Sequence, residues 1–143
     1  WVFFGLVAVG GSYYLQTLAL GSSALIAGSL IGIHAAAVIT VNNYRDLDGD
    51  ARSGKNTLAV IMGRPATQRV YQFEMLAPYL GLCALIPDLG PAAALPLLSL
   101  PASLVLVRRF RQTAPGPIFN TLLAQTAGQQ LLFALLLAAA FVF

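Results

Sequence analysis

The densest chemistry in this chain lies between Asn42 and Thr57, where Asp46, Asp48 and Asp50 stand among Arg45, Arg52 and Lys55. Close carboxylates repel one another unless cations sit among them, and Mg²⁺ takes oxygen ligands of this kind. Arg52 and Lys55 behind them can hold an anion such as a phosphate. The cluster directly follows a long apolar run, and charge beside a bilayer is functional by default. Carboxylates, a divalent metal, basic residues and a membrane together point to chemistry on a lipid diphosphate.

Two soluble-protein motifs begin in this stretch and fail. Asp46-x-Asp48-x-Asp50 opens like an EF-hand loop, which needs Gly at its sixth position and a bidentate Glu at its twelfth. Ala51 and Thr57 occupy those places. Gly49-x-x-x-x-Gly54-Lys55 resembles a P-loop, but Asn56 stands where a Mg²⁺-binding Ser or Thr belongs, and an apolar helix precedes it instead of a strand. The spacing that suits a helix is Asn42, Asp46, Asp50, four apart along one face. If the apolar helix continues past Asn42, Asp46 and Asp50 point the same way and can share one ion, with Asp48 turned elsewhere. The competing structural reading is a solvated loop of mixed charge.

The elements that must position these residues are membrane spans. Of the 143 residues, 58% are hydrophobic and only 9% charged, with mean hydropathy +0.78, whereas a soluble domain carries about 25% charged residues. The deficit runs along the whole chain, as in an integral membrane protein. A span needs about 20 apolar residues. The pattern gives a partial span over 1–14, ending at the interfacial pair Tyr13 and Tyr14, and full spans over 22–44, 68–86, 90–107 and 120–143. A charged connection covers 45–67, and the whole of 1–143 forms one partial membrane domain. Gly, Ala and Ser in the second span allow close helix packing. Pro78 predicts a kink in the third, and Pro and Gly place a loop over 112–117.

Charge then fixes the orientation. All eight basic residues fall on one side: Arg45, Arg52, Lys55 and Arg64 in one connection with Arg69 at the next helix start, and Arg108, Arg109 and Arg111 in the other. The opposite connections, 15–21 and 87–90, carry only Asp88. By the positive-inside rule the acidic cluster faces the cytoplasm. The net charge of +3 sits in these connections and forms no groove-reading motif, so no nucleic-acid partner is expected. The single Cys83 lies in an apolar run and reads as helix packing. The chain opens in mid-span at Trp1-Val2-Phe3-Phe4, without a basic leader or cleavage site, and reads as part of a longer protein.

Against this background a family resemblance becomes visible. Asn42-Asn43-Tyr44-Arg45-Asp46 through Asp50, then Gly54-Lys55-Asn56-Thr57-Leu58-Ala59-Val60 and Met62-Gly63-Arg64, resembles the second aspartate-rich motif of the UbiA superfamily of intramembrane prenyltransferases. Tyr13-Tyr14-Leu15-Gln16-Thr17, Asn120-Thr121-Leu122-Leu123 and Gln129-Gln130-Leu131-Leu132-Phe133 are similar to its menaquinone-pathway branch. The resemblance implies an all-α integral membrane protein, with these residues as helices five to nine of a nine-helix bundle around a cavity open to lipid. A first motif of the form Asn-Asp-x-x-Asp-x-x-x-Asp would then lie before Trp1, and this part alone is expected to be inactive.

The implied reaction is transfer of a polyprenyl group from polyprenyl diphosphate to 1,4-dihydroxy-2-naphthoate with decarboxylation, giving demethylmenaquinone. It would take place in the lipid bilayer of the inner (plasma) membrane with Mg²⁺ as cofactor. On this resemblance Asp46 and Asp50 are metal ligands, directly or through water. Lys55 and Arg52 hold the diphosphate, and Asn42 and Asn43 hydrogen-bond metal waters or the acceptor. Arg45 pairs either with an aspartate or with a substrate carboxylate. The alternatives are a relative with another acceptor or donor (4-hydroxybenzoate, phytyl) and a cation-coupled transporter. The transporter is disfavoured because its ionisable residues belong at the bilayer midplane.

Other polar residues have simpler readings. His34 suits an interhelical hydrogen bond. Gln125, Gln129 and Gln130 suit packing or a polar cavity wall, and Glu74 an arginine partner or an interfacial position. Arg108, Arg109 and Arg111 suit topology determinants beside lipid head groups.

Overall fold

The computed structural model describes residues 1–114 and 116–143; Pro115, inside the loop expected over 112–117, lies outside them. Every regular element among the described residues is helical. Helix α1 (Val2–Gly10) is wound with π-type bonds and runs on into Gly11–Thr17. It is followed by α2 (Ser22–Arg52) and α3 (Leu58–Gly81). A 3₁₀ turn (Leu82–Leu85), one α-helical turn (Ile86–Leu89) and a ten-residue 3₁₀ helix (Gly90–Ser99) lead into α4 (Leu100–Gln112), and α5 (Phe119–Ala140) follows. Three helical stretches, Ser22–Arg52, Leu58–Gln112 and Phe119–Ala140, are long and apolar enough to cross a bilayer. The chain has the helices of a multi-pass integral membrane protein.

The connection expected over 45–67 is shorter than its charge suggested. Helix α2 continues to Arg52 and α3 begins at Leu58, so only five residues (53–57) lie between them. Residues 45–52 contain no proline and several good helix formers, so charge alone gives the helix no reason to stop. The kink expected at Pro78 is displaced as well. Pro78 is buried in α3, and the non-helical backbone of that helix falls at Gly63 (φ 75°, ψ 169°), two residues before Pro65. This is a region that essentially only glycine occupies. Cys83, expected to pack between helices, is exposed.

Close packing joins α1 to α2. Gly5 faces Gly28 and Gly32, so the two backbones touch where any Cβ would intervene. Small residues four apart do this in membranes, where helices gain nothing from hiding apolar surface from one another. Polar contacts provide a second kind of adhesion. Gln129 on α5 donates to Tyr79 Oη (2.9 Å), Ser103 Oγ (2.9 Å) and the Ser99 carbonyl (3.0 Å), all buried. Tyr71 Oη and Thr126 Oγ1 meet at 2.9 Å, and His34 Nε2 donates to the Met75 carbonyl at 3.1 Å. These bonds tie α3 to α4, α5 and α2.

The bundle has two chemically distinct ends. Ser23, at the start of α2, donates to Asp88 at 2.6 Å. Arg45, near its other end, reaches Asn120 at the start of α5 at 2.7 Å. Twenty-two residues of helix separate Ser23 from Arg45, about 33 Å at the α-helical rise. That matches a hydrocarbon core of about 30 Å.

The glycine contacts give a paired test. In Gly32→Ala the new methyl would sit 2.6 Å from the Trp1 carbonyl oxygen and 2.7 Å from Gly5 Cα, a backbone overlap costing about 1–3 kcal/mol. Gly49 lies in α2 with nothing within 4 Å of an added Cβ, so Gly49→Ala should gain about 0.5–1 kcal/mol. Thermal unfolding in detergent micelles should move the two midpoints in opposite directions. Equal shifts would refute the close α1–α2 contact.

Candidate functional site

The site forms where α2 leaves its apolar stretch. Asn42, Asp46 and Asp50 follow one another at helical spacing along α2, and Asp48 falls off that line. Each of the three carboxylates has a basic partner from the chain itself. Asp46 pairs with Arg45 at 2.7 Å, Asp48 with Arg64 at 2.7 Å and Asp50 with Lys55 at 3.4 Å. The chain's own basic side chains thus offset the mutual repulsion of the carboxylates.

Local backbone structure delivers the partners. Helix α2 ends in a Schellman motif, with the Lys55 amide donating to the Asp50 carbonyl (2.9 Å) and the Gly54 amide to that of Ala51 (3.3 Å). Gly54 takes the left-handed conformation this turn requires (φ 73°). The chain is thereby folded back, and Lys55 comes to rest against Asp50. Thr57 then caps α3, its Oγ1 accepting from the Val60 amide at 3.4 Å. Just past the break at Gly63, Arg64 reaches Asp48 and lies over the Tyr44 ring, 5.2 Å from its centroid.

Arg45 is the most heavily engaged side chain. Its Nε and Nη2 donate to the two oxygens of Asp46 (2.8 and 2.7 Å). Nη2 also donates to Asn42 Oδ1 (2.9 Å), and Nη1 to Asn120 Oδ1 (2.7 Å). Arg45 is thus paired with an aspartate, one of the two partners that the sequence suggested. Asn43 is half-buried and faces a small pocket with Thr40, Ala59 and Thr67. Arg52 is exposed at the last turn of α2.

Beneath the charges lies an aromatic floor. Tyr44 packs on Phe110 (centroids 4.6 Å) and Phe119 (5.3 Å), and Tyr71 stacks on Phe110 at 4.1 Å. All four are buried, and they come from α2, α3, α4 and α5. Tyr44 therefore serves the packing of the charged stretch, its hydroxyl accepting from Gln68 at 3.0 Å.

The donor set suits Mg²⁺. Asp46, Asp50, Asn42 and Asn43 offer hard oxygens, and Mg²⁺ is commonly held by one or two carboxylates together with waters and substrate phosphates. No cluster of three or more His, Cys, Asp or Glu side chains able to hold a metal occurs among the described residues. What this chain offers is a partial ligand set, not a closed cage.

Asn120 and Arg64 are the members of this site that the sequence reading did not assign. Nothing in the spacing from Asp48 identifies Arg64. A polar residue at the mouth of an apolar span was the available signal for Asn120. The residues given simpler readings behave as contacts. Arg109 donates to Gln125 at 3.3 Å, Gln129 joins the buried network, and Glu74 pairs with no arginine among the described residues.

Comparison with known proteins identifies a family. The model of the UbiA prenyltransferase family matches residues 1–124. The chain is 47% identical over 76 residues to a 1,4-dihydroxy-2-naphthoate octaprenyltransferase of Haemophilus influenzae, covering 53% of this chain and 24% of that protein. It is 32% identical over 140 residues to the protein of the same name in Mycobacterium leprae (97% and 47%). To UbiA prenyltransferase domain-containing protein 1 of Mus musculus it is 33% identical over 132 residues (92% and 38%). The chain thus spans less than half the length of these relatives.

The Schellman turn is open to a direct test. Gly54→Ala forces a side chain into the left-handed region at a cost of about 1–2 kcal/mol. The expected result is a lower unfolding midpoint and faster hydrogen exchange at the Lys55 amide. Unchanged exchange there would show that the turn does not hold Lys55 in place.

Proposed function

The chain belongs to the UbiA prenyltransferase family, and from that premise we propose that it supplies the second aspartate motif of an enzyme that prenylates 1,4-dihydroxy-2-naphthoate. The observation that carries this reading is the alignment of Asn42, Asp46 and Asp50 on α2 with Arg45, Lys55 and Arg52 beside them. Support for the naphthoate acceptor comes from the likeness to the two octaprenyltransferases, 47% over 76 residues for Haemophilus influenzae and 32% over 140 for Mycobacterium leprae; the mouse relative stands at 33% over 132 residues.

In this proposal residues 1–143 are helices five to nine of a nine-helix bundle, and an earlier helix of the whole protein brings the first aspartate motif opposite α2. The bundle sits in the inner (plasma) membrane. The distribution of all eight basic residues supports a cytoplasmic position for the site.

The side chains divide the work. Asp46 and Asp50 would hold Mg²⁺, with Asn42 and Asn43 on its waters or on the acceptor. When bound, Mg²⁺ supplies charge neutralisation to the departing diphosphate. Lys55 is 69% exposed and only loosely paired, so it can turn from Asp50 to a diphosphate oxygen. Arg52, one turn past Asp48, offers a second cationic contact. Together they stabilise the negative charge that gathers on the leaving group as the allylic C–O bond breaks. The electron-rich naphthoate ring then attacks the allylic carbon, and its carboxylate departs as CO₂. Arg45 is committed to Asp46, Asn42 and Asn120, so it serves to hold the site.

In the full-length protein, Asp46→Ala and Asp50→Ala should each lower prenyl transfer by more than about a hundredfold, as loss of a charge-stabilising group does. Asp48→Ala, which breaks only an exposed pair, should stay within about fivefold. Product mass from membranes supplied with naphthoate or 4-hydroxybenzoate acceptors reads both the rate and the acceptor. Full activity in either of the first two variants would sink the ligand assignment, and a 4-hydroxybenzoate product would replace the acceptor.

A further inference from the structure

Adjacent residues on a helix project about 100° apart and do not face each other. Arg45 and Asp46 nevertheless form a two-bond pair, with Nε and Nη2 on separate carboxylate oxygens at 2.8 and 2.7 Å. Helix geometry alone does not produce this contact, so something must turn the guanidinium sideways. Two amide oxygens are placed to do so. Asn42, three residues back on the same face, accepts from Nη2 at 2.9 Å. Asn120, 75 residues further along the chain, accepts from Nη1 at 2.7 Å. Asn120 is the only one of these anchors that comes from another helix.

The position of Asn120 is itself fixed. Its neighbour Phe119 is fully buried and packs on Tyr44 (5.3 Å) and Phe110 (5.5 Å). Its own amide donates to the Pro117 carbonyl at 3.1 Å. The start of α5 is therefore pinned to α2 two residues before the metal-ligand candidate, since Tyr44 and Asp46 flank Arg45. A planar guanidinium with its bonds filled is a rigid template, unlike an ammonium group.

We propose that Asn120 is a positioning residue of this site: through Arg45 it sets how the Asp46 carboxylate is presented to a divalent cation. The proposal rests on the assignment of Asp46 as a metal ligand. Groups that orient a ligand from behind commonly change metal affinity by about 10- to 100-fold when removed.

The test uses the full-length protein in detergent with Mn²⁺ alone, free ion being followed by electron paramagnetic resonance. Asn120→Leu keeps the size and removes the acceptor; it should weaken Mn²⁺ binding by about tenfold, the lower end of that range. Asn120→Asp keeps an oxygen for Nη1 and should restore binding to near the wild-type value. Should the leucine variant fail to fold, Asn120→Ser, too short to reach the guanidinium, is read in its place with the same expectation. Unaltered Mn²⁺ binding in Asn120→Leu or Asn120→Ser, with binding lost in Asp46→Asn, overturns the positioning role and leaves the ligand assignment intact. Unaltered binding in Asp46→Asn overturns both. An equal loss in Asn120→Leu and Asn120→Asp also overturns it, because a residue acting through Arg45 must be rescued by a retained acceptor.

Discussion

Three carboxylates within five residues at the mouth of a membrane helix can persist only if their charge is balanced nearby, and this chain balances it with its own side chains. The three partners arrive by different routes. Arg45 is the sequence neighbour of Asp46, turned sideways by two asparagines. Lys55 is returned to Asp50 by the Schellman turn at Gly54. Arg64 meets Asp48 from the far side of the connection, just beyond the break at Gly63. Two glycines at positive φ and one asparagine on a distant helix thus acquire a common purpose. Exposed pairs of this kind contribute about 0–1 kcal/mol each. Such pairs quiet the cluster at little cost, and the long Lys55–Asp50 contact is the one most easily displaced by a stronger cation or a diphosphate.

The rest of the bundle holds that end of α2 steady. Helices surrounded by lipid gain little from hiding apolar surface, so their association depends on fit and on polar contacts. Tyr44, Tyr71, Phe110 and Phe119 bring four helices together directly beneath the charges. Further along, the Tyr79–Ser99–Ser103–Gln129 network joins α3, α4 and α5 with every polar atom it uses buried. Against α1, the glycines of α2 permit backbone contact. The charged stretch is exposed while the helix that carries it is anchored on several sides. This combination suits a site that must bind and release charged ligands without moving its scaffold.

Sequence alone exposed much of this, because composition and helical spacing are local properties. The charge deficit identified a membrane protein, and four-residue spacing aligned Asn42, Asp46 and Asp50. What it missed depended on contacts between distant residues or on backbone conformation. The connection over 45–67 looked like a loop because it is charged, yet helix formation depends on propensity and capping, and α2 runs to Arg52 before Gly54 stops it. Pro78 looked like the bend of the third span, but the conformational break falls on Gly63. Tyr44 sits inside the acidic motif and belongs to the core. Asn120 bonds to Arg45 across 75 positions, and no periodicity in a single sequence can report such a pairing.

Arg45 and Lys55 show how one site can contain both a fixed and a releasable half. Arg45 makes four hydrogen bonds of 2.9 Å or less to three partners, and its planar fork holds the carboxylate through two parallel bonds. Lys55 makes one long contact of 3.4 Å from a side chain that is 69% exposed. Its ammonium can change partners by rotation about single bonds. The exposures of the carboxylates differ in a corresponding manner: Asp50 is shielded to 13% and Asp46 stands open at 40%. The more open carboxylate is the one held rigidly, and the more shielded one is covered by the mobile cation. Movement of Lys55 toward an arriving anion would therefore uncover Asp50 as the anion binds. In the proposed enzyme, ligand capture and metal access would be coupled through this one flexible side chain, while Arg45 keeps Asp46 in its orientation.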